Sequence, residues 1–543
     1  NAPKFPMPAY LDFLMDAAWE DEGVRKMVRH TLDEMAMGGM YDQVGGGFHR
    51  YSTDERWLVP HFEKMLYDNG QLLSTYARAY ELTGDDFYAR VALRTAEYVL
   101  REMRNEEGMF FSAQDAEVDH REGLNYLWTK EDVAKVLQDA GMQNDVEFAL
   151  KVYGLNDGVN FTDPHHPEDG GKNVLFLRDR PEETAKGIGI SVEEYSAKLD
   201  AVNETLLKVR NVRKQPITDD KVLTGWNGLM IAGLADAGRV LHEKTYLVAA
   251  HIAAETVSKM MIAEDGRLMR SARAGRVHVD AFLEDYALLA HGLIALHRAT
   301  GNVRWIEEAT ELMKEAMNRF GDSERGGFFD VQEGRQELFV RTKGIHDGAV
   351  PSGNSVMLVN MHSLLEVTGE TQWMHGFNIA LSGISASVQE SPTGSIVAAS
   401  ALWKFLSHTA ELLPQKHANT AATLGPVSFR VLTRADASDG CRSVSIVLEI
   451  ARGYHVNAHE PGVDGLIGLR IHALNDDAKL HVTYPEARRL DDENSPYVYE
   501  NGDVITCMVE SEQDVELAIR FQACNDRMCL APATHIVKAT LTS

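Results

Sequence analysis

Two neighbouring stretches hold more rings, histidines and charges than a solvent-facing loop needs: Tyr41-Asp42-Gln43-Val44-Gly45-Gly46-Gly47-Phe48-His49-Arg50-Tyr51-Ser52 and Trp57-Leu58-Val59-Pro60-His61-Phe62-Glu63-Lys64-Met65-Leu66-Tyr67-Asp68-Asn69. Flat rings suit the apolar faces of a sugar, polar forks suit its hydroxyls, and histidine or carboxylate can move protons. His49, His61 and Asp68 are the catalytic candidates here. Arg50, Tyr51, Trp57, Glu63, Lys64, Tyr67 and Asn69 are the candidates for binding. The alternative is that Trp57, Phe62 and Tyr67 are packing, and that Glu63 and Lys64 form an internal ion pair.

Four further segments have the same character. They are Ser112 to Ala116 with Asp115 and the later Trp128; Asp219-Asp220-Lys221 with Trp226-Asn227-Gly228; Phe282 to Tyr286 with Glu284 and Asp285; and His346 to Ser355 with Asp347, Ser352 and Asn354. His346, Asp220, Glu284 and Asp285 join the catalytic candidates. Asp115, Lys221, Trp226, Asn227, Asp347, Ser352 and Asn354 join the binding set. Singly, an acidic residue at a helix start is a cap. Together, segments that each precede or open an inner helix would converge on one cavity.

The elements that would position them are helix pairs. From Leu66 to Leu82 apolar residues recur at helical spacing, Thr83-Gly84-Asp85-Asp86 interrupts, and a second helical run follows from Phe87 to Leu100. The same break returns at Thr300-Gly301-Asn302 and Thr368-Gly369-Glu370, with a looser form from Gly238 to Thr245. At the other ends of the pairs lie Gly45-Gly46-Gly47-Phe48, Gly108-Met109-Phe110-Phe111, Gly266-Arg267-Leu268 and Gly326-Gly327-Phe328-Phe329. The fold class expected is mainly α, an (α/α)6 barrel over 1–414; an open solenoid of pairs is the competing arrangement. Residues 106 to 191 exceed one pair and predict a lobe over the cleft. A linker at 415–425 leads to period-two alternation, which predicts a small antiparallel β-sandwich over 426–543. Within it Tyr497-Val498-Tyr499 is expected to face Val504-Ile505-Thr506 across Asn501-Gly502.

At 543 residues the chain is long enough for several domains. Its 54 Lys and Arg against 81 Asp and Glu give a net charge of -27, a field that repels nucleic acid and anionic membrane surfaces. No His-Glu-x-x-His, Walker loop or Cys-x-x-Cys occurs, and Gly45-Gly46-Gly47 is not a dinucleotide fingerprint; no cofactor and no metal are expected, at His165-His166 included. The start, Asn1-Ala2-Pro3-Lys4-Phe5-Pro6, reads as cut or processed, and the compartment expected is the cytoplasm.

All four cysteines, Cys441, Cys507, Cys524 and Cys529, lie beyond residue 440. Cys524 and Cys529 flank a tight turn. They could close a small disulfide or exchange with a partner thiol, or they could be two reduced, half-buried thiols.

The motifs Gly45 to Tyr51, Trp57 to Asn69, Leu223-Thr224-Gly225-Trp226-Asn227-Gly228-Leu229 and Asp347 to Ser355 closely resemble the family of spermatogenesis-associated protein 20 and its bacterial YyaL-type relatives. Members of that family carry a thioredoxin-like domain ahead of the barrel, so such a domain or protein is an implied partner. The barrel looks like that of N-acylglucosamine 2-epimerases and cellobiose epimerases, which implies a sugar-type substrate and a homodimer. Gly453-Tyr454-His455-Val456-Asn457 and Phe521-Gln522-Ala523-Cys524 through Leu530 are similar to the N-terminal domain of the thiol:disulfide interchange protein DsbD.

Three functions are weighed on this basis. The first is a sugar epimerase or isomerase, with histidines as acid and base, Arg50 and Lys64 on the enolate oxygen, and Trp57 and Trp226 on the ring. The second is a glycoside hydrolase with two carboxylates drawn from Asp68, Asp115, Asp220, Glu284 and Asp347. The third is a non-catalytic binding or scaffold module in a thioredoxin-linked system, with Cys524 and Cys529 passing electrons.

Overall fold

The computed structural model describes residues 2–263, 266–334, 340–412, 426–435, 441–451, 453–463, 465–475, 478–490, 495–511, 514–525, 529–530 and 532–539. It divides into two compact units, 1–407 and 408–543. The expected linker at 415–425 lies outside the described residues.

The first unit is a set of helical hairpins: α1 (Pro8–Ala17), α2 (Glu22–Met37), α3 (Leu66–Thr83) and α4 (Asp86–Tyr98); then α5 (Lys130–Asp139), α6 (Val146–Val152), α7 (Pro181–Ile188) and α8 (Val192–Arg210). It continues with α9 (Thr224–Val240), α10 (Lys244–Met260), α11 (Leu283–Thr300), α12 (Val303–Phe320), α13 (Gly353–Thr368), α14 (Thr371–Glu390) and α15 (Ile396–Leu412). Helix α3 stops as its sequence predicts: Gly84 takes φ 64°, and the Asp85 carboxylate accepts from Phe87 N to start α4. Gly301 and Gly369 repeat the stop, both at φ 68°. The looser break expected between Gly238 and Thr245 falls at residues 241–243. Helix α9 runs through Gly238 to Val240, and His242 takes the left-handed turn at φ 58°. Gly238 serves packing instead, since a Cβ there would lie 2.7 Å from the Leu247 side chain.

Helices α1, α3, α9, α11, α13 and α15 form a closed inner ring. A Cβ on Gly233 of α9 would sit 2.5 Å from the Gly70 carbonyl of α3, and one on Gly292 of α11 would sit 2.4 Å from the Gly228 carbonyl of α9. Without side chains at these points the three helices touch backbone to backbone. Asn360 of α13 donates to the Ala287 carbonyl of α11 at 2.8 Å. The His362 ring of α13 meets Phe405 of α15, Lys404 pairs with Asp16 of α1 at 2.7 Å, and Asp12 accepts from Thr75 of α3 at 3.2 Å. This circuit returns to its start, so the arrangement is the (α/α)6 barrel and not the open solenoid. Inner helices such as α9 and α11 are apolar on most faces because they are covered on most faces.

The lobe reaches further than residue 191. Helix α8 belongs to it, packing on α5 and α7, and at its last residue Arg210 reaches Asp42 at 2.8 Å.

The second unit holds eleven strands among the described residues: β1 (Val427–Ala435), β2 (Cys441–Ile450), β3 (His455–Asn457), β4 (Arg470–Ala473), β5 (Lys479–Thr483), β6 (Arg488–Arg489), β7 (Tyr497–Tyr499), β8 (Val504–Glu510), β9 (Val515–Phe521), β10 (Ala523–Cys524) and β11 (Ala533–Ala539). They form antiparallel sheets in the orders β1-β2-β8-β5, β6-β7-β3-β10 and β4-β9-β11. Val444, Ile446, Leu448, Ile505, Leu517 and Ile519 are buried between them. The hairpin expected across Asn501-Gly502 does not form, because β7 and β8 lie in different sheets. Asn501 Oδ1 accepts from Ile450 N and Gly502 N donates to the Leu448 carbonyl, so the turn is spent on reaching β2.

Candidate active site at the barrel mouth

The segments that enter inner helices gather at one end of the ring. The Gly-x-Phe turns are fixed there by asparagines in the first turns of α3, α9 and α13. Asn69 accepts from Phe48 N at 2.8 Å and donates to its carbonyl at 3.0 Å. Asn227 does the same for Phe110, and Asn354 for Phe328. All three are buried, and both ends of each carboxamide are engaged with the protein backbone. Short strand pairings add rigidity: Lys64-Met65 on Ala113-Gln114, and these on Thr218-Asp219. The segment from Ser112 to Ala116 therefore enters the lobe and opens no inner helix.

Beneath this rim lies a buried charge cluster. Lys64 is wholly buried, donates to Asp42 at 2.8 Å and to the Gly46 carbonyl at 2.9 Å, and lies over the Tyr98 ring at 4.1 Å. Arg210 takes the other Asp42 oxygen. Burial alone would raise the Asp42 pKa, but Arg210 and Lys64 outweigh it and hold it well below the usual range. The Glu63–Lys64 pair weighed as the alternative does not form: Glu63 pairs with Arg50, and Lys64 with Asp42. Lys64 belongs to this inner cluster and is turned away from any enolate oxygen at the mouth. His49 is also enclosed, with Nδ1 at 2.9 Å from the Phe62 carbonyl and the Phe62 and Tyr126 rings edge-on. Burial lowers its pKa to about 3, so it stays neutral.

Above it the chain assembles Arg50, Tyr51, His61, Glu63, Tyr67 and Asp68. Arg50 donates to Glu63 at 2.9 Å and also bonds Tyr67. His61 Nε2 lies 3.7 Å from Glu63, its Nδ1 lies 2.8 Å from Glu122, and Tyr51 stacks on it at 5.0 Å. The Glu122 and Glu63 carboxylates raise the His61 pKa to about 9, so the ring is cationic at neutral pH. His61 and Arg50 in turn lower the Glu63 pKa. Asp68 is 2% exposed, its Oδ2 has no hydrogen-bond partner, and burial raises its pKa well above the usual value despite Arg50. Two carboxyls pushed in opposite directions, Asp68 up by burial and Glu63 down by His61 and Arg50, thus share one cluster. Tyr67 meets Trp226 edge-on at 4.7 Å, which brings the start of α9 to the same place.

The remaining candidates are distributed around the ring. Asp285 accepts from Gly225 N, from Phe282 N and from Arg270, linking α11 to α9; burial raises its pKa to about 6. Glu284 pairs with the same Arg270 at 2.6 Å. Asp347 accepts from Ser352 N and Val397 N, tying the starts of α13 and α15, and the Ser352 hydroxyl bonds Ser355. Asp220 is paired with Arg273 and Lys221 with Asp219. Asp115 and His346 are exposed. Trp57 is buried under the Lys4 ammonium, away from the Trp226 ring it was expected to join. Glu122 and Arg270 were not anticipated. Glu122 sits in a lobe hairpin whose sequence carries no mark of the barrel residue it meets. Among the described residues, no three of His, Cys, Asp and Glu are grouped to hold a metal ion, and no helix is long and apolar enough to cross a membrane.

In the β unit, Cys524 and Cys529 form a disulfide beside a cleft of about 240 Å³ lined by His455, Asn457, Leu490 and Pro496. Cys524 Sγ lies 3.8 Å from Asn457 Oδ1. Cys507 is a buried free thiol.

Fold and site together define a six-hairpin (α/α)6 barrel with a polar, acid–base-bearing mouth, carried in one chain with an antiparallel β unit. Residues 427–541 match the model of the thiol:disulfide interchange protein DsbD, N-terminal. The barrel resembles spermatogenesis-associated protein 20, as its motifs indicate: the Rattus norvegicus protein is 37% identical over 421 residues, 72% of this chain and 53% of that protein. An uncharacterized protein of Caenorhabditis elegans is 32% identical over 420 residues, 72% of this chain and 57% of that protein. The chain spans about half the length of the curated relatives it matches. Among solved structures, cellobiose 2-epimerase from Spirochaeta thermophila is 11% identical, covering 72% of this chain and 82% of that one, with a TM-score of 0.42.

Proposed function

We propose that the barrel is a carbohydrate-active enzyme of the epimerase or isomerase type, acting at the Arg50–His61–Glu63–Asp68 cluster. The observation that carries this reading is geometric: Asp68 is buried with its Oδ2 lacking a hydrogen-bond partner, in one cluster with a Glu63 that Arg50 approaches to 2.9 Å and His61 to 3.7 Å, so that burial pushes the Asp68 pKa up while the cations hold Glu63 down. Glu63 accepts the proton from the carbon next to the sugar carbonyl, and Asp68 returns one to the opposite face. Arg50 and His61 stabilise the enolate oxygen between the two steps. The same cations disfavour glycoside hydrolysis, whose transition state is oxocarbenium-like and gains positive charge. Histidine therefore acts as an electrophile here, and the carboxyl pair exchanges protons. Tyr67 and Trp226 supply the ring surfaces. The test is incubation of the chain with aldoses, ketoses and disaccharides in deuterated water. Deuterium at the carbon beside the carbonyl, lost in Glu63→Gln and Asp68→Asn, is the expected outcome; new reducing ends without carbon-bound deuterium would instead make it a hydrolase.

The β unit supports a second activity, because its disulfide borders an open cleft. The thiolate of a partner dithiol attacks one sulfur of Cys524–Cys529 and forms a mixed disulfide. The partner's second thiol then resolves it, leaving the partner oxidised and both cysteines reduced. Thiol trapping before and after a thioredoxin-like dithiol is added should count two newly freed thiols; none would remove this reading.

A further inference from the structure

A large cavity of the barrel unit lies outside the ring of inner helices, between α10 and α12. It measures about 850 Å³, within the range of volumes of ligand pockets. The two helices are strutted across it and not packed together. Arg304 of α12 donates to Glu255 of α10 at 2.7 Å and pairs with Glu308, which accepts from Ser258 of α10 at 3.0 Å. The groove is thus held at a fixed width, with Leu268, Leu289 and Leu312 in its lining and Ile262, 43% exposed, beside them.

The rim has one dominant sign. Glu255, Glu307, Glu308, Glu311 and Glu315 face only Lys259 and Arg304 among the lining residues. Arg304, Lys314 and Arg319 pair with Glu308, Glu311 and Glu315, yet Glu307, Glu311 and Glu315 still follow one another at four-residue spacing. Lys314 and Arg319 offset part of the repulsion between like charges at that spacing, and the remaining surplus of five glutamates over two basic lining residues favours a cationic occupant. An apolar floor between acidic walls is the complement of an amphipathic segment with one apolar and one basic face.

We propose that this groove docks a lysine- or arginine-rich amphipathic segment of a partner protein, its apolar face on Ile262 and Leu312 above the buried Leu268 and Leu289, and its cations along the glutamate stripe. The inference stands independently of the sugar chemistry at the mouth.

The probe is a fluorescein-labelled amphipathic lysine–leucine peptide, titrated with the full chain and read by anisotropy. Parent protein is compared with Glu307→Gln/Glu311→Gln/Glu315→Gln, with Ile262→Ser, and with Glu147→Gln/Glu183→Gln/Glu193→Gln, which makes the same charge change at exposed lobe positions. Saturable binding that weakens about tenfold in the groove triple variant and several-fold in Ile262→Ser, but not in the lobe variant, is expected. Equal loss in both triple variants would reduce the effect to the net charge of -27 and overturn the proposal. Indifference to Ile262→Ser, or absence of saturable binding, would overturn it as well. Thermal unfolding of each variant confirms that these surface changes leave the fold intact.

Discussion

Asn69 holds both backbone groups of Phe48, accepting from its N–H at 2.8 Å and donating to its carbonyl at 3.0 Å across twenty-one residues of chain. A third bond to the Met65 carbonyl completes its carboxamide. Asn227 and Asn354 hold both backbone groups of Phe110 and Phe328 in the same way, with third bonds to the Leu223 and Gly344 carbonyls. One polar device, used three times, thus fastens the mouth loops to the inner helices that follow them.

Asn69→Ala should therefore destabilise the barrel unit by about 2–4 kcal/mol, since a buried N–H and two carbonyls lose their partner. Urea unfolding followed by tryptophan fluorescence would measure it, and Asn227→Ala and Asn354→Ala should behave alike. A change below about 0.5 kcal/mol at all three would show that the turns hold without them.

Loss of the carboxyl pair should separate chemistry from folding. Asp68→Asn is nearly isosteric, and burial already disfavours the charged form of Asp68, so its unfolding midpoint should stay close to the parent's. Turnover measured by solvent deuterium exchange should fall about 10²–10⁴-fold in both Asp68→Asn and Glu63→Gln. Retained exchange in either variant would relocate the reaction away from this cluster.

The His61 clamp should give a signature at alkaline pH. Its folded pKa is raised to about 9 from the ordinary 6.5, chiefly by Glu122. The stabilisation is therefore fully present below about 6.5 and is lost as pH rises through about 9. His61 is half-buried, so the screened contribution is on the order of 1 kcal/mol. Parent protein should lose stability between pH 7 and 10 relative to His61→Gln, and parallel stability curves for the two would refute the clamp.

The buried triad predicts a coupling between its members. Lys64→Met leaves Asp42 with Arg210 alone, while Arg210→Met leaves it with Lys64 alone; each should cost about 3–5 kcal/mol, as for any buried pair stripped of one partner. Asp42→Asn with Lys64→Met should recover part of that loss, a coupling that denaturation of the double variant would report.

Much of the fold was legible in the chain. Apolar residues at helical spacing, glycine stops at Gly84, Gly301 and Gly369, and period-two alternation beyond residue 426 are local signals, and local signals survive in sequence. The break between Gly238 and Thr245 was legible too, but its left-handed residue, His242, was not, because Gly238 is used for the approach of Leu247. The crossing between β7 and β8 was hidden for a similar reason. Asn501-Gly502 favours a turn in isolation, and its bonds to β2 decide which sheet the next strand joins.

The candidate site divides in the same way. Residue types and their clustering between Tyr41 and Asn69 were set by sequence alone, as were the family resemblance and the change of architecture beyond residue 426. Tertiary structure alone decided which of those groups reach the mouth. It buried Lys64 against Asp42 and His49 against Phe62, brought Glu122 from the lobe to His61, and left Asp68 Oδ2 without a hydrogen-bond partner. The reason is physical: a side chain's protonation and reach depend on desolvation and on charges brought from distant parts of the chain. Those are properties of packing, and no spacing in the sequence encodes them.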